Sequence, residues 1–149
     1  MNISDKINED LKIAMKAKDK DKLSTIRMLK SAITLAKIEL KRDPSDNDVL
    51  DIISKQIKMR KDSIAEFSKA SRDDLVSQYQ KEIDILNSYL PEQLSLDEVN
   101  KYIDEIFEVV KPEGIKQMGL IMKELTPKIA GRFDKGEASK IIKDRLSNL

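Results

Sequence analysis

Apolar residues recur three and four apart along most of the chain, the spacing of amphipathic helices rather than strands. Ile3, Ile7, Leu11, Ala14 and Met15 predict a first helix over about 4–18, with Ser4 as a candidate N-cap. After the polar run Lys18-Asp19-Lys20-Asp21-Lys22, a second helix is predicted over 21–41. Its seam is Ile26, Leu29, Ile33, Ala36 and Leu40, with Met28, Ala32 and Leu35 widening the apolar arc. Arg27, Lys30, Lys37 and Lys41 lie together on the other flank, so this helix has a core face and a basic face. A third helix over 46–69 has the seam Leu50, Ile53, Ile57, Ile64 and Phe67. Arg60 stands where the same rhythm calls for an apolar residue; it can cover the seam edge with its stem, pair with a carboxylate, or serve function. Leu75, Tyr79, Ile83 and Leu86 predict a fourth helix over 73–89.

The breaks are equally legible. Asp43-Pro44-Ser45-Asp46-Asn47-Asp48 is acidic but lacks the glycine and terminal glutamate of a calcium loop. Its better reading is a proline stop followed by capping from Ser45 or Asp46. Leu90-Pro91-Glu92-Gln93-Leu94-Ser95 is the best domain boundary, because proline disfavours helix at the residue before it. Ser95 and Glu98 form a capping box, with Leu94 and Val99 spaced as a hydrophobic staple. A fifth helix runs to about Val110, and Lys111-Pro112-Glu113-Gly114 forms a hinge. A sixth covers 115–125, ended by Thr126-Pro127, and a last one 136–146. The expected fold is all-α: an N-terminal bundle of about four helices over 1–90 and a small three-helix domain over 91–149.

Composition narrows the chemistry. Among 149 residues there is no Cys, His or Trp, and only four Gly and four Pro. Disulfides, thiolate nucleophiles, imidazole bases and His-ligated zinc are excluded. No run approaches the 18 apolar residues of a membrane span, and residues 1–12 lack the apolar core of a secretory signal. The resulting expectation is a cytoplasmic protein without membrane association. Gly131-Arg132-Phe133-Asp134-Lys135-Gly136 has glycines but departs from a Walker loop, since Glu137 follows where Lys is required. It reads as plain helix initiation, or as a short basic loop offering the Gly136 and Glu137 backbone donors to a phosphate. No convergent acid/base pair is visible, so no catalytic residue, metal or cofactor is expected.

Charge changes the picture more than composition does. The net charge of +1 conceals ten Lys/Arg against three Asp/Glu in residues 12–42. Residues 92–113 carry two against seven, and residues 115–149 eight against four. Such asymmetry points to a polyanion or an oppositely charged partner, although lysine-rich helices are often only solvated faces. Few aromatics are free for stacking, so any nucleic-acid contact would be to phosphate and shape rather than base edges.

Several stretches resemble the GatB/YqeY family. They are Asp10-Leu11-Lys12, Ala14 through Lys20, and Leu23 through Leu29; then Gln56-Ile57-Lys58 with Arg60 and Asp62-Ser63-Ile64; then Tyr89 through Ser95, and Met118-Gly119 to Gly131-Arg132. Their order and spacing run across nearly the whole chain. The family is similar to the tail of the B subunit of the tRNA-dependent amidotransferase, an RNA-handling appendage of a carbon–nitrogen ligase that uses glutamine as amide donor. The catalytic, ATP- and magnesium-binding domain of that subunit has no counterpart here, so the chain is not expected to be an enzyme on its own. Ala70-Ser71-Arg72 stands where the family usually has Ala-Gly-Arg, which bears on whether a glycine-type turn persists there. The resemblance implies a tRNA-facing role for Lys123, Lys128, Arg132, Lys135, Lys140 and Lys143. Arg27, Lys30 and Lys37 of the basic second helix join them as candidates. The leading expectation is a non-catalytic tRNA-binding or amidotransferase-associated protein. The alternative is a protein–protein adaptor, in which the acidic helix at 95–110 and the basic helix at 21–41 dock on a partner or on each other.

Overall fold

A computed structural model describes residues 2–149. Among them are seven α-helices and no strand. They are α1 (Ile3–Ala17), α2 (Lys20–Leu40), α3 (Asp46–Lys69), α4 (Asp73–Asn87), α5 (Leu96–Val110), α6 (Met118–Ile129) and α7 (Lys135–Ser147), with a 3₁₀ turn at Ile115–Gln117 before α6. The chain divides into two compact units, Met1–Leu90 and Pro91–Leu149.

Side-chain caps start most of these helices. Ser45 accepts from the Asp48 amide, and the Asp48 carboxylate reaches back to Ser45, so both orphan groups are satisfied. Ser95 and Glu98 make the same box at α5, with Leu94 and Val99 buried in one cluster as the staple requires. At α1 the cap is Asn2, boxed with Asp5, rather than Ser4 two positions on. Asn2 is extended and its Oδ1 takes the Asp5 amide at 2.8 Å, whereas Ser4 already lies within the helix.

With few glycines, four helices, α1, α2, α3 and α5, close on residues that bear side chains in the left-handed region: Lys18, Lys41, Ser71 and Lys111, all with φ between 51° and 57°. Ser71 closes a Schellman motif, in which its own amide donates to the Ser68 carbonyl and the Arg72 amide to that of Phe67. The glycine-type turn therefore persists with a serine in it.

In the N-terminal unit, Ile7, Ile26, Leu29, Val49, Ile53, Ile57, Ile83 and Leu86 form the core. Tyr89 closes it, donating its hydroxyl to Asp10 at 2.6 Å beneath the Lys6 ammonium. Burial, then the Asp10 bond, pushes the Tyr89 phenol well above its usual range. The α2 seam is buried only in its first half; Leu35 and Leu40, expected to face the core, are exposed. In the C-terminal unit α5, α6 and α7 close over Val99, Ile103, Ile106, Ile121, Leu125, Ile129, Ala138 and Ile142. The expected stop at Thr126-Pro127 does not occur, and α6 runs on to Ile129. Proline removes one ladder bond there, but the extra residues bury Ile129 and lead Ala130 into the interior, which offsets the loss.

Two measurements check these local arguments. Ser71→Gly relieves left-handed strain at a small entropic cost and should raise stability by about 0.5–1 kcal/mol in urea melts. Tyr89→Phe should cost about 1 kcal/mol at neutral pH. In the parent protein, the Tyr89 contribution is whole below the ordinary tyrosine value of about 10 and declines as pH rises above it, because the unfolded chain ionises first. The variant should lack that part of the alkaline decline.

Candidate nucleic-acid interface

The C-terminal unit is sealed where the chain first meets it. Gly131 adopts φ 70°, a left-handed conformation that glycine tolerates, and so turns the chain between α6 and α7. The segment entering α5 is tied to this turn. The Leu94 amide donates to the Arg132 carbonyl at 2.8 Å, Gln93 Nε2 to the Gly131 carbonyl at 2.7 Å, and Arg132 Nε to the Glu92 carbonyl at 3.1 Å. Arg132 is thus a strap residue as well as a cation, and it is only half-exposed.

Asp134 caps α7 by accepting from the Glu137 amide at 3.1 Å. The loop is therefore plain helix initiation. A carboxylate already occupies a donor that a phosphate would need, and its charge opposes an anion there.

The remaining candidates of this unit fall into two groups. Lys128 lies 5.3 Å from the Tyr102 ring centroid, so α5 partly holds its ammonium. Among the described residues, Lys123 on α6 and Lys135, Lys140 and Lys143 on α7 are exposed and make no ion pair, ring contact or side-chain hydrogen bond. Arg145, not among the expected residues, pairs with Asp104 and stacks 4.7 Å from the centroid of Phe107. The acidic α5 is thereby partly neutralised from within the unit, and Glu98 is spent on its cap.

In the N-terminal unit, Arg27 and Lys37 are exposed on α2 and Lys30 is half-exposed; Lys37 pairs with Asp43 at 3.0 Å in an open ion pair. Arg60 takes the second of its three readings. It is 6% exposed; its Nε donates to Glu82 Oε1 at 3.2 Å, and Nη2 stands 3.2 Å from the same oxygen as an ion pair while donating to Met28 Sδ at 3.7 Å. Nη1 donates to the Gln56 carbonyl and to Gln56 Oε1. Glu82 was not anticipated. Its spacing held the signal, since it lies seven after Leu75, three after Tyr79 and four before Leu86, on the same inward stripe. No buried side-chain polar atom among the described residues lacks a partner. Removing one member alone leaves an uncompensated buried charge, so Glu82→Leu should destabilise the unit by about 3–5 kcal/mol. Arg60→Met/Glu82→Leu should recover much of that loss, a difference a double-mutant cycle in urea reads directly.

Known proteins place the chain in context. The pattern of the family described as Yqey-like protein matches residues 4–146. Altered inheritance of mitochondria protein 41, mitochondrial, from Pyrenophora tritici-repentis is 35% identical over 133 residues, 85% of this chain and 71% of that protein. Its Saccharomyces cerevisiae namesake is 42% identical over 104 residues, 65% of this chain and 56% of the yeast protein. The Kluyveromyces lactis namesake is 46% identical over 84 residues, 56% and 45% of the respective chains. The chain thus matches about half the length of the yeast proteins. These names overturn the expectation of a cytoplasmic location, for the relatives are mitochondrial proteins. That expectation rested on the lack of a membrane span and of a secretory core, neither of which separates the cytoplasm from an organelle. With the family pattern spanning nearly its full length, the chain belongs to the YqeY-like protein family.

Proposed function

We propose that this protein is a non-catalytic RNA-handling module whose C-terminal unit contacts the phosphate backbone of tRNA through the exposed lysines of α6 and α7. One observation carries the reading: Lys123, Lys135, Lys140 and Lys143 are exposed and unpaired in a stretch with eight cations against four acids. Unneutralised surface charge adds little to stability, so its accumulation favours an external polyanion. The resemblance to the amidotransferase B-subunit tail supports tRNA as that polyanion. Lys128 and Arg132 serve as supports: Tyr102 steadies one, and the other fixes the strap at the base of α7. Because Asp134 takes the Glu137 amide and sets a negative charge at the start of α7, the contact is made by flexible ammonium groups, which read charge density and shape rather than sequence.

Binding of unmodified tRNA at two salt concentrations tests this. Affinity should fall steeply with salt, with a log–log slope of about −0.7 to −0.9 per phosphate neutralised. Replacing Lys135, Lys140 and Lys143 with Gln should lower the slope by about two to three and leave the melting profile nearly unchanged. Absence of binding at low salt would overturn the reading.

A further inference from the structure

Helix α2 extends well beyond the core it covers. Thr25, Ile26 and Leu29 in its first half are buried, whereas no residue from Lys30 to Leu40 is. Yet this second half is not polar: Ile38 is 68% exposed and Leu35 57% exposed. Successive residues turn by about 100° on an α-helix. Ser31, Thr34, Leu35 and Ile38 therefore share one outward arc, opposite the buried Ile26 and Leu29. With Lys30 they line a shallow depression of about 390 Å³. Its floor is low because Ser31 and Thr34 are small, and its walls are the apolar Leu35 and Ile38. Lys30 and Thr34 also border a second recess of about 220 Å³, shared with Ser4, Ile7 and Asn8 of α1.

The rim is cationic. Arg27 falls within the same arc, and Lys30, Lys37 and Lys41 follow along one edge, against the single acid Glu39 in this half of the helix. Among the described residues, Arg27 and Lys30 have no partner, and the Lys37–Asp43 pair is open to water on both sides. An incoming carboxylate can replace Asp43 at little cost.

We infer that the outward face of α2 between Arg27 and Lys41 is a docking surface for an acidic amphipathic helix of a partner protein. Apolar residues of that helix fill the depression beside Leu35 and Ile38, and its carboxylates lie against Arg27, Lys30, Lys37 and Lys41. This is ridge-into-groove packing with electrostatic register. Two other occupants fit less well. RNA gains nothing from the exposed Leu35 and Ile38, since its affinity comes from phosphate contacts. A membrane surface favours a broad apolar face with aromatic anchors, whereas α2 has no aromatic residue and Ser31 and Thr34 stand beside Leu35 and Ile38 on this face.

The test uses the full chain and a labelled peptide with the sequence of residues 95–110. That peptide carries five acids against one lysine, with Val99, Ile103, Ile106 and Val110 on one helical stripe. Fluorescence anisotropy should show saturable binding below about 100 μM. Ile38→Asp, and separately Lys30→Glu/Lys37→Glu/Lys41→Glu, should each weaken it at least about tenfold with unchanged helicity by circular dichroism. A peptide with every acid replaced by Lys should not bind. Affinity for tRNA should survive Ile38→Asp, because that contact is assigned to α6 and α7. No peptide binding, or binding indifferent to Ile38→Asp, overturns the inference. So does a finding that Ile38→Asp instead abolishes adsorption to phosphatidylglycerol vesicles or self-association in sedimentation.

Discussion

A guanidinium and a carboxylate share the interior of the N-terminal unit, and the packing of α3 on α4 is arranged around them. Arg60 and Glu82 reach each other only if the two helices hold one axial register, while Gln56 on the previous turn of α3 takes Nη1 and Met28 of α2 takes Nη2. Aliphatic seams tolerate sliding, because one Ile resembles the next in shape and chemistry. A buried charge pair does not, since any shift strands a charge in a medium that cannot solvate it. The apolar core of Ile53, Ile57, Ile83 and Leu86 supplies the driving force, while the pair selects which of its packings is adopted.

The C-terminal unit solves a different problem. With only 59 residues after Leu90, it has little apolar surface to bury, and small domains are marginal for that reason. It responds by fixing its ends. The strap from Glu92 to Leu94 is bonded to Gly131 and Arg132, and Arg145 fastens α7 to α5 through Asp104 and Phe107. The cations that perform these tasks are the ones with planar guanidinium groups, which can bond and stack in fixed geometry. The lysines, Lys128 on Tyr102 apart, take no part in them.

How much of this could be read from the sequence depends on the kind of signal. The all-α class followed from the three-four spacing, and capping boxes such as Ser95 with Glu98 followed from pairs of residues three apart. Both are local properties. Burial of the Arg60 side chain was open between three readings because its partner stands 22 residues away. The second half of α2 misled for the same reason: Leu35 and Leu40 have core-like periodicity, but no element of the unit buries them. The left-handed closures at Lys18, Lys41 and Lys111 could not be seen, because the residue types usual at such positions are absent, and the one at Ser71 was raised only by the glycine usual there in the family. Among the candidate interface residues, the sequence marked the cations but could not separate Lys135 and Lys140, which face water, from Arg132, whose Nε is already engaged.

The cap at α7 has a consequence for discrimination among anions. A helix end with vacant amides recognises a tetrahedral phosphate at fixed distance and angle, and so tells phosphate from other anions and one phosphate from the next. With Asp134 taking the Glu137 amide and adding its own negative charge, that receptor is weakened. What remains is a set of ammonium groups on four-carbon stems, able to follow a curved backbone of varying pitch. In the proposed RNA contact, such a surface would give up chemical selectivity for geometric tolerance, and a single small phosphate ester would be held too weakly to compete with a long polyanion.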